Sequence, residues 1–310
     1  MPKRRSKQKA AARKRVKPSP KGTTQTNLRR FTTSAWAICA RVLERRRDLS
    51  AILDLMGFFD WLGDQNLARI VHALPPLPCR SGCAYCCYVG TDRPDLLAPE
   101  ALRIAAFLRE EGSRALPLVL ERLAQAEGSP GHDPKTPCLF LHQERCLVYA
   151  VRPMRCRAQH SPDRDACRQS YLGTRETMPL LREPALLFKS IQTGMRLALR
   201  ELGVQHTNLA LTGAVRIALG EPGSLERWMS GQAVFAEYPD DTGEEHALDR
   251  LARQAKRQLQ SEARALQRVL SLLTEQPGAW AAYTTSGTMP ALDRASRGET
   301  FPGHNRKRES

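Results

Sequence analysis

The sequence predicts a mainly α protein: a helical domain carrying a small cysteine-rich knuckle with a short hairpin, flanked by disordered tails. Three observations predict it. Apolar residues recur at helical spacing, as at Ile52, Leu55, Met56, Phe59 and Leu62. Eight of the nine cysteines lie between Cys79 and Cys167, four of them within residues 79–87. Both ends are polar and charged, with too few apolar residues to bury. The expected division is a basic tail at 1–32, a helical domain at 33–284 with its cysteine core at 79–167, and a C-terminal tail at 285–310.

Composition narrows the class. With 41% hydrophobic residues the chain can hold a real core. It has no run of 18 apolar residues, so no transmembrane helix is expected. The basic N-terminus lacks the apolar stretch of a secretory signal, so a cytoplasmic location is expected. A reducing compartment disfavours disulfides, and clustered cysteines there read first as metal ligands. The net charge is +16, but residues 1–30 hold 12 Lys/Arg and no acid, leaving +4 for the remainder. Such a tail can bind nucleic acid or another acidic partner through counterion release, or stay solvated without one.

Taken in order, Ser34 to Leu74 reads as helical, with Gly57 and Gly63 as punctuation. Cys39 lies on the first helix as a small buried hydrophobe. Pro75, Pro76 and Pro78 end the region, because proline cannot continue a helix. Pro99 opens a helix that runs to about Glu111, with Gly112 as its cap, and a second spans about Arg114–Glu127. After a Gly/Pro loop at 128–134, Cys138-Leu-Phe-Leu141 and Cys146-Leu-Val-Tyr149 form a hairpin around His142-Gln-Glu-Arg145, a cysteine opening each strand. A polar loop then leads to Cys167. Helices follow at Leu186–Leu202, Asn208–Leu219 and Ser224–Phe235. Thr242 and Glu245 form a capping box before a long helix whose stripe (Leu248, Leu251, Ala255, Leu259, Ala263, Leu266, Leu270 and Leu273) reads as a docking face for the domain sooner than as a partner-helix face.

Thiolates suit zinc, copper(I) and iron–sulfur clusters, because soft sulfur matches these metals. Cys79, Cys83 and Cys86 have the spacing of structural zinc ligands. If their segment is helical, Cys79, Cys83 and Cys86 or Cys87 share a face. Adjacent Cys86 and Cys87 cannot both comfortably reach one tetrahedral ion, so one points elsewhere or the pair bridges two metals. Arg80, Arg145, Arg152, Arg155 and Arg157 stand near the sulfurs in sequence, where they would offset thiolate charge or act as ordinary surface charges. His142 and His160 are alternative ligands or plain loop residues.

The ordered pattern Cys79-x3-Cys83-x2-Cys86-Cys87, then Cys138-Leu-Phe-Leu141, then Cys146-x-Val-Tyr149-x2-Arg152-Pro153-x2-Cys156-Arg157 resembles the YkgJ-type cysteine-cluster family, written CxxCxxCC. It departs from that family in its first spacing, three residues instead of two, and in Leu139 where proline is usual. The resemblance implies a zinc- or iron-chelating domain over about 79–167, with Cys83, Cys86, Cys87, Cys138, Cys146 and Cys156 at the metal. Cys79 joins them by spacing and Cys167 by proximity. Family members that look like flagellin lysine methylases share the cluster, there as iron–sulfur, which implies an enzyme alternative, although no methyl-donor pocket is legible. A radical S-adenosylmethionine reading of Cys79, Cys83 and Cys86 fails on the missing βα repeats and the five later cysteines.

The three functional classes are therefore a zinc- or iron-binding protein, an iron–sulfur enzyme, and a nucleic-acid-associated protein using residues 1–30. The last has a direct test. Affinity for DNA or RNA should fall steeply with salt and vanish when residues 2–30 are deleted, and binding that ignores salt removes the reading.

Overall fold

A computed structural model describes residues 21–79, 82–88, 95–110, 115–127 and 137–235, with individual positions between 250 and 281. In chain order the described helices are α1 (Lys21–Arg45), α2 (Leu49–His72), α3 (Tyr85–Tyr88), α4 (Ala98–Glu110), α5 (Ala115–Glu127), α6 (Met154–Ala158), α7 (Arg164–Tyr171), α8 (Arg182–Glu201), α9 (Leu211–Gly220) and α10 (Ser224–Met229). The described sheet is one antiparallel pair, β1 (Leu141–His142) with β2 (Arg145–Cys146). The chain is thus mainly α, as the sequence predicts. The expected tails at 1–20 and 285–310, Arg80, the Gly112 cap, the 128–134 loop and the Thr242–Glu245 capping box lie outside the described residues.

Helix α1 starts at Lys21, inside the stretch 1–32 expected as a tail. The reason is tertiary packing. Phe31 already leans on the core, and Thr33, Ala35, Ile38, Cys39, Val42 and Leu43 are buried. Most helical stability comes from such a buried face and not from intrinsic propensity. Burial also pushes the Cys39 thiol up to about 12, as befits a small core residue. The main partner of α1 is α8, and Trp36 Nε1 ties the two by donating to Glu201 Oε2 at 2.7 Å.

Helix α2 is capped by Asp48, which accepts from Ala51 N at 2.7 Å. Gly57 and Gly63 do not punctuate it. Both lie inside the helix, where the missing side chain admits a neighbour: a Cβ at Gly57 would overlap the Trp280 carbonyl, and one at Gly63 the Phe188 ring. The α2 face also carries Asp54, wholly buried. Its carboxylate accepts from the amides of Gly278, Trp280 and Ala281 at 2.8, 3.1 and 3.2 Å and from Arg46 Nη1 at 3.3 Å. Trp280 then packs edge-on against Phe58 at 5.2 Å. Described positions of the C-terminal stripe, Ala255, Leu266 and Leu273, are buried, so that helical stretch docks on the body.

Helix α4 packs against α2 and α9, and its entry is pinned by paired backbone bonds between Leu96 and Leu209 at 2.9 and 3.2 Å. No described helix is long and apolar enough to cross a membrane.

The α1–α8 contact depends on Gly194. A Cβ there would collide with the Thr32 carbonyl oxygen and the Ala35 Cβ. Gly194→Ala should therefore cost about 1–3 kcal/mol through overpacking, read as a lower urea midpoint with an unchanged slope.

Candidate metal centre

The first cysteine segment is not a helical face. Prolines 75, 76 and 78 and Gly82, at φ +87°, disfavour helix ahead of Tyr85, and among the described residues of 75–88 the helix is Tyr85–Tyr88. That single turn holds Cys86 and Cys87. Cys79 is fixed separately: the Ser161 amide donates to its Sγ at 3.1 Å.

The second segment meets the first through the backbone, because Cys138 N donates to the Cys87 carbonyl at 2.7 Å. The predicted hairpin is present but shorter than expected. Its turn is Gln143–Glu144, both left-handed at φ 47° and 60°, as a two-residue hairpin turn requires. The cysteines do not open the strands. Cys138 precedes β1 across a tight turn closed by Leu141 N to Cys138 O at 2.8 Å, and Cys146 ends β2 opposite Leu141. Two outside contacts hold the hairpin in place. From α5, Arg122 Nη1 donates to the carbonyls of Leu139 and Leu141, and Tyr88 O–H donates to Glu144 Oε1 at 2.6 Å.

Helices α6 and α7 occupy the stretch after Arg152, where the sequence suggests a polar loop leading to Cys167. The missed signal was Ser161-Pro162-Asp163, an N-cap sequence: Asp163 Oδ1 accepts from Ala166 N at 2.9 Å. Helix α6 carries Cys156, and α7 carries the buried Cys167. Helix α7 packs on α3, with the Tyr171 ring 5.9 Å from Tyr85 and 5.1 Å from Tyr88.

The arginines divide. Arg157 is fully buried and does not line the cysteine cavity. Its Nη2 meets Asp60 at 3.0 Å and its Nη1 meets Asp64 at 2.8 Å, both on α2, while Nε and Nη2 also donate to the carbonyls of Arg152 and Ala150. Arg103 of α4 joins at Asp60, 3.2 Å away. Arg155 pairs with Asp95 at 2.7 Å, outside the cysteine cavity. Arg145 and Arg152 do line the cavity. Arg152 stacks over Tyr149 at 4.2 Å and stabilises negative charge on Cys86, Cys146 and Cys156.

The structure brings all eight candidate cysteines together. Cys79, Cys83, Cys86, Cys87, Cys138, Cys146, Cys156 and Cys167 line one cavity of about 250 Å³. His160 also lines it; His142 does not. Burial, and next Arg152, lower the His160 pKa and favour neutral imidazole. The hydrogen bond between the Cys86 and Cys87 thiols lowers Cys86 to about 7 and raises Cys87. Burial pushes Cys146 up to about 12 and raises Cys79, Cys156 and Cys167. A metal must displace those protons, so affinity should climb with pH. Among the described residues no three His, Cys, Asp or Glu side chains converge in metal-bonding geometry. The donor chemistry nonetheless fits zinc or iron: soft sulfur predominates, and an amide N–H and a guanidinium are placed to stabilise thiolate charge.

The geometry gathers eight thiols in one segment, and a family model matches that segment. Residues 78–176 match the family model CxxCxxCC, described as "Putative zinc- or iron-chelating domain". The match takes in all eight cavity cysteines and spans about a third of the chain. No curated protein and no solved structure matches.

Glu100 secures this segment from below. Its buried carboxylate accepts from Met154 N, the first residue of α6, at 2.8 Å, from Leu97 N at 2.8 Å and from Gln192 Nε2 at 3.1 Å. Burial outweighs those three donors and lifts the group from 4.5 to about 7. A raised carboxyl stabilises the fold below its unfolded value and loses that contribution as pH rises through the folded one. The loss is about 3 kcal/mol above neutrality. Glu100→Gln cannot ionise, so its unfolding free energy should gain on the wild type between pH 5 and pH 8. Denaturant titrations at both pH values check this.

Proposed function

We propose that the protein binds zinc or iron through the thiols of Cys79, Cys83, Cys86, Cys87, Cys138, Cys146, Cys156 and Cys167. The observation that carries the reading is their convergence on one cavity from separate places in the fold: Cys79 and Cys83 ahead of α3, then α3 itself, the hairpin, α6 and α7. Chance burial of free thiols does not gather eight of nine in one place. A bound metal would cross-link segments separated by some fifty residues of chain, restricting the unfolded state and adding its binding energy to folding.

The chain's own residues prepare the site. The Ser161 amide steadies Cys79 sulfur, and Arg152 offsets charge on Cys86, Cys146 and Cys156. Tyr171 on α7 packs against Tyr85 and Tyr88 and so buttresses the turn that presents Cys86 and Cys87.

Elemental analysis of anaerobically purified protein, with acid-labile sulfide measured in parallel, tests the reading. Colourless protein with stoichiometric zinc and brown protein with iron and sulfide both support it and name the metal. Cys86→Ser and Cys156→Ser should each lose most of the metal bound at their site and lower thermal stability. Unchanged metal content in both variants would sink the ligand assignment.

A further inference from the structure

The cysteine cavity is larger than an ion needs. Structural zinc sites close around the metal, and even a water molecule takes up only about 30 Å³ of liquid. This cavity measures about 250 Å³. An apolar cavity of about 150 Å³ already admits benzene. The thiols cover only part of the wall, and Phe140, Leu141, Pro153, Met178, Leu180 and Leu211 supply an apolar part. Two lining side chains, Tyr149 at 39% and Leu180 at 45%, are large apolar groups exposed to solvent. Apolar surface of that kind gains when a ligand covers it.

The outer wall includes the stretch 172–180, which joins α7 to α8. It bonds back to α7 through the amides of Gly173 and Thr174, and the Leu181 amide donates to the His160 carbonyl at 2.7 Å. Between those anchors it brings Met178 and Leu180 to the cavity.

One polar group in the wall lacks a partner in the chain. The Arg152 guanidinium lies over the Tyr149 ring, 4.2 Å from its centroid. Its Nε is buried and finds no hydrogen-bond acceptor. A buried donor left unpaired is destabilising, so this one calls for an acceptor from outside. Stacking occupies the face of a guanidinium and leaves its edge, which carries Nε–H, for a planar acceptor. A carboxylate fits that edge with two parallel N–H bonds. The charges agree. The lining holds Arg145 and Arg152 against Glu144, and Glu144 already accepts from Tyr88. One positive charge is left over, which suits a monoanion better than a phosphate dianion. Arg152 is also held in place, because its carbonyl accepts from Arg157 Nε at 3.0 Å and Arg157 is anchored to α2.

We propose that the cavity binds a small organic monocarboxylate, its carboxylate on the edge of Arg152 and its apolar body against Met178, Leu180 and Leu211. The inference goes beyond the metal-binding reading and does not depend on it.

The test uses the full chain, purified anaerobically with its metal content measured. Calorimetric titrations compare para-toluate with its neutral amide, para-toluamide. The acid should bind at one equivalent, and the amide at least about tenfold more weakly, as the loss of a charge-assisted hydrogen bond requires. Arg152→Met should weaken the acid by a similar factor and leave the amide unchanged. Leu180→Ser, at an exposed position, should weaken both. Wild type that binds neither probe, or binds both equally, overturns the inference. So does acid binding that survives Arg152→Met, which would place the carboxylate elsewhere, on a metal ion or on Arg145. Should Arg152→Met fail to fold, Arg152→Lys replaces it: the charge stays, the planar fork goes, and most of the preference for the acid should go with it. Metal content decides the other reading separately. Metal-free protein that binds the acid refutes metal binding and keeps this site, and metal-loaded protein that ignores the acid does the reverse.

Discussion

The arrangement hangs on a buried guanidinium. Arg157 follows Cys156 directly, yet its side chain turns inward to Asp60 and Asp64 on α2, and Arg103 from α4 closes on the same Asp60 oxygen. A buried charge is expensive unless it is paired and hydrogen-bonded, and here all three guanidinium nitrogens of Arg157 are engaged. Removing one partner from such a network typically costs about 3–5 kcal/mol, because the other charge is left stranded. The same contacts hold the carbonyls of Ala150 and Arg152, so they fix the path of the chain from the hairpin into α6. Cys156 lines the cavity, while Arg157 beside it is held by Asp60 and Asp64 of α2.

Glu100 completes that foundation. It binds the first amide of α6 and the Gln192 side chain on α8, joining three helices at one carboxylate. The cysteine segment therefore rests on a buried polar floor. Four side chains, Asp60, Arg103, Arg157 and Glu100, make that floor, and each is at most 3% exposed.

The helical class and the membership of the cysteine cavity were legible in sequence, because periodicity and thiol spacing are local signals. Cys79 and Cys167, assigned by spacing and proximity alone, do reach the cavity. The roles of single residues were less legible. Arg157 reads in sequence like one more cation near the sulfurs, since nothing local reveals that Asp60 and Asp64, more than ninety positions earlier, await it. Gly57 and Gly63 look like helix breakers, but Trp280 and Phe188 approach them from afar. The hairpin turn places Gln143 and Glu144 in the left-handed region without a glycine to announce it. For Arg157 and the two glycines the deciding partner is distant in sequence, where pattern reading has no reach.

One consequence follows from where Arg157 finds its partners. The recognisable family segment begins at residue 78, after the end of α2, and stops at residue 176, before α8 begins. Asp60, Asp64 and Gln192 all lie outside it. Transplanted into another chain, the segment would carry its eight thiols along with a guanidinium and a carboxylate whose counterparts had been left behind. The matched segment is therefore smaller than the network of buried contacts that holds it. Any protein borrowing this cysteine segment would have to supply an acidic helix beneath it.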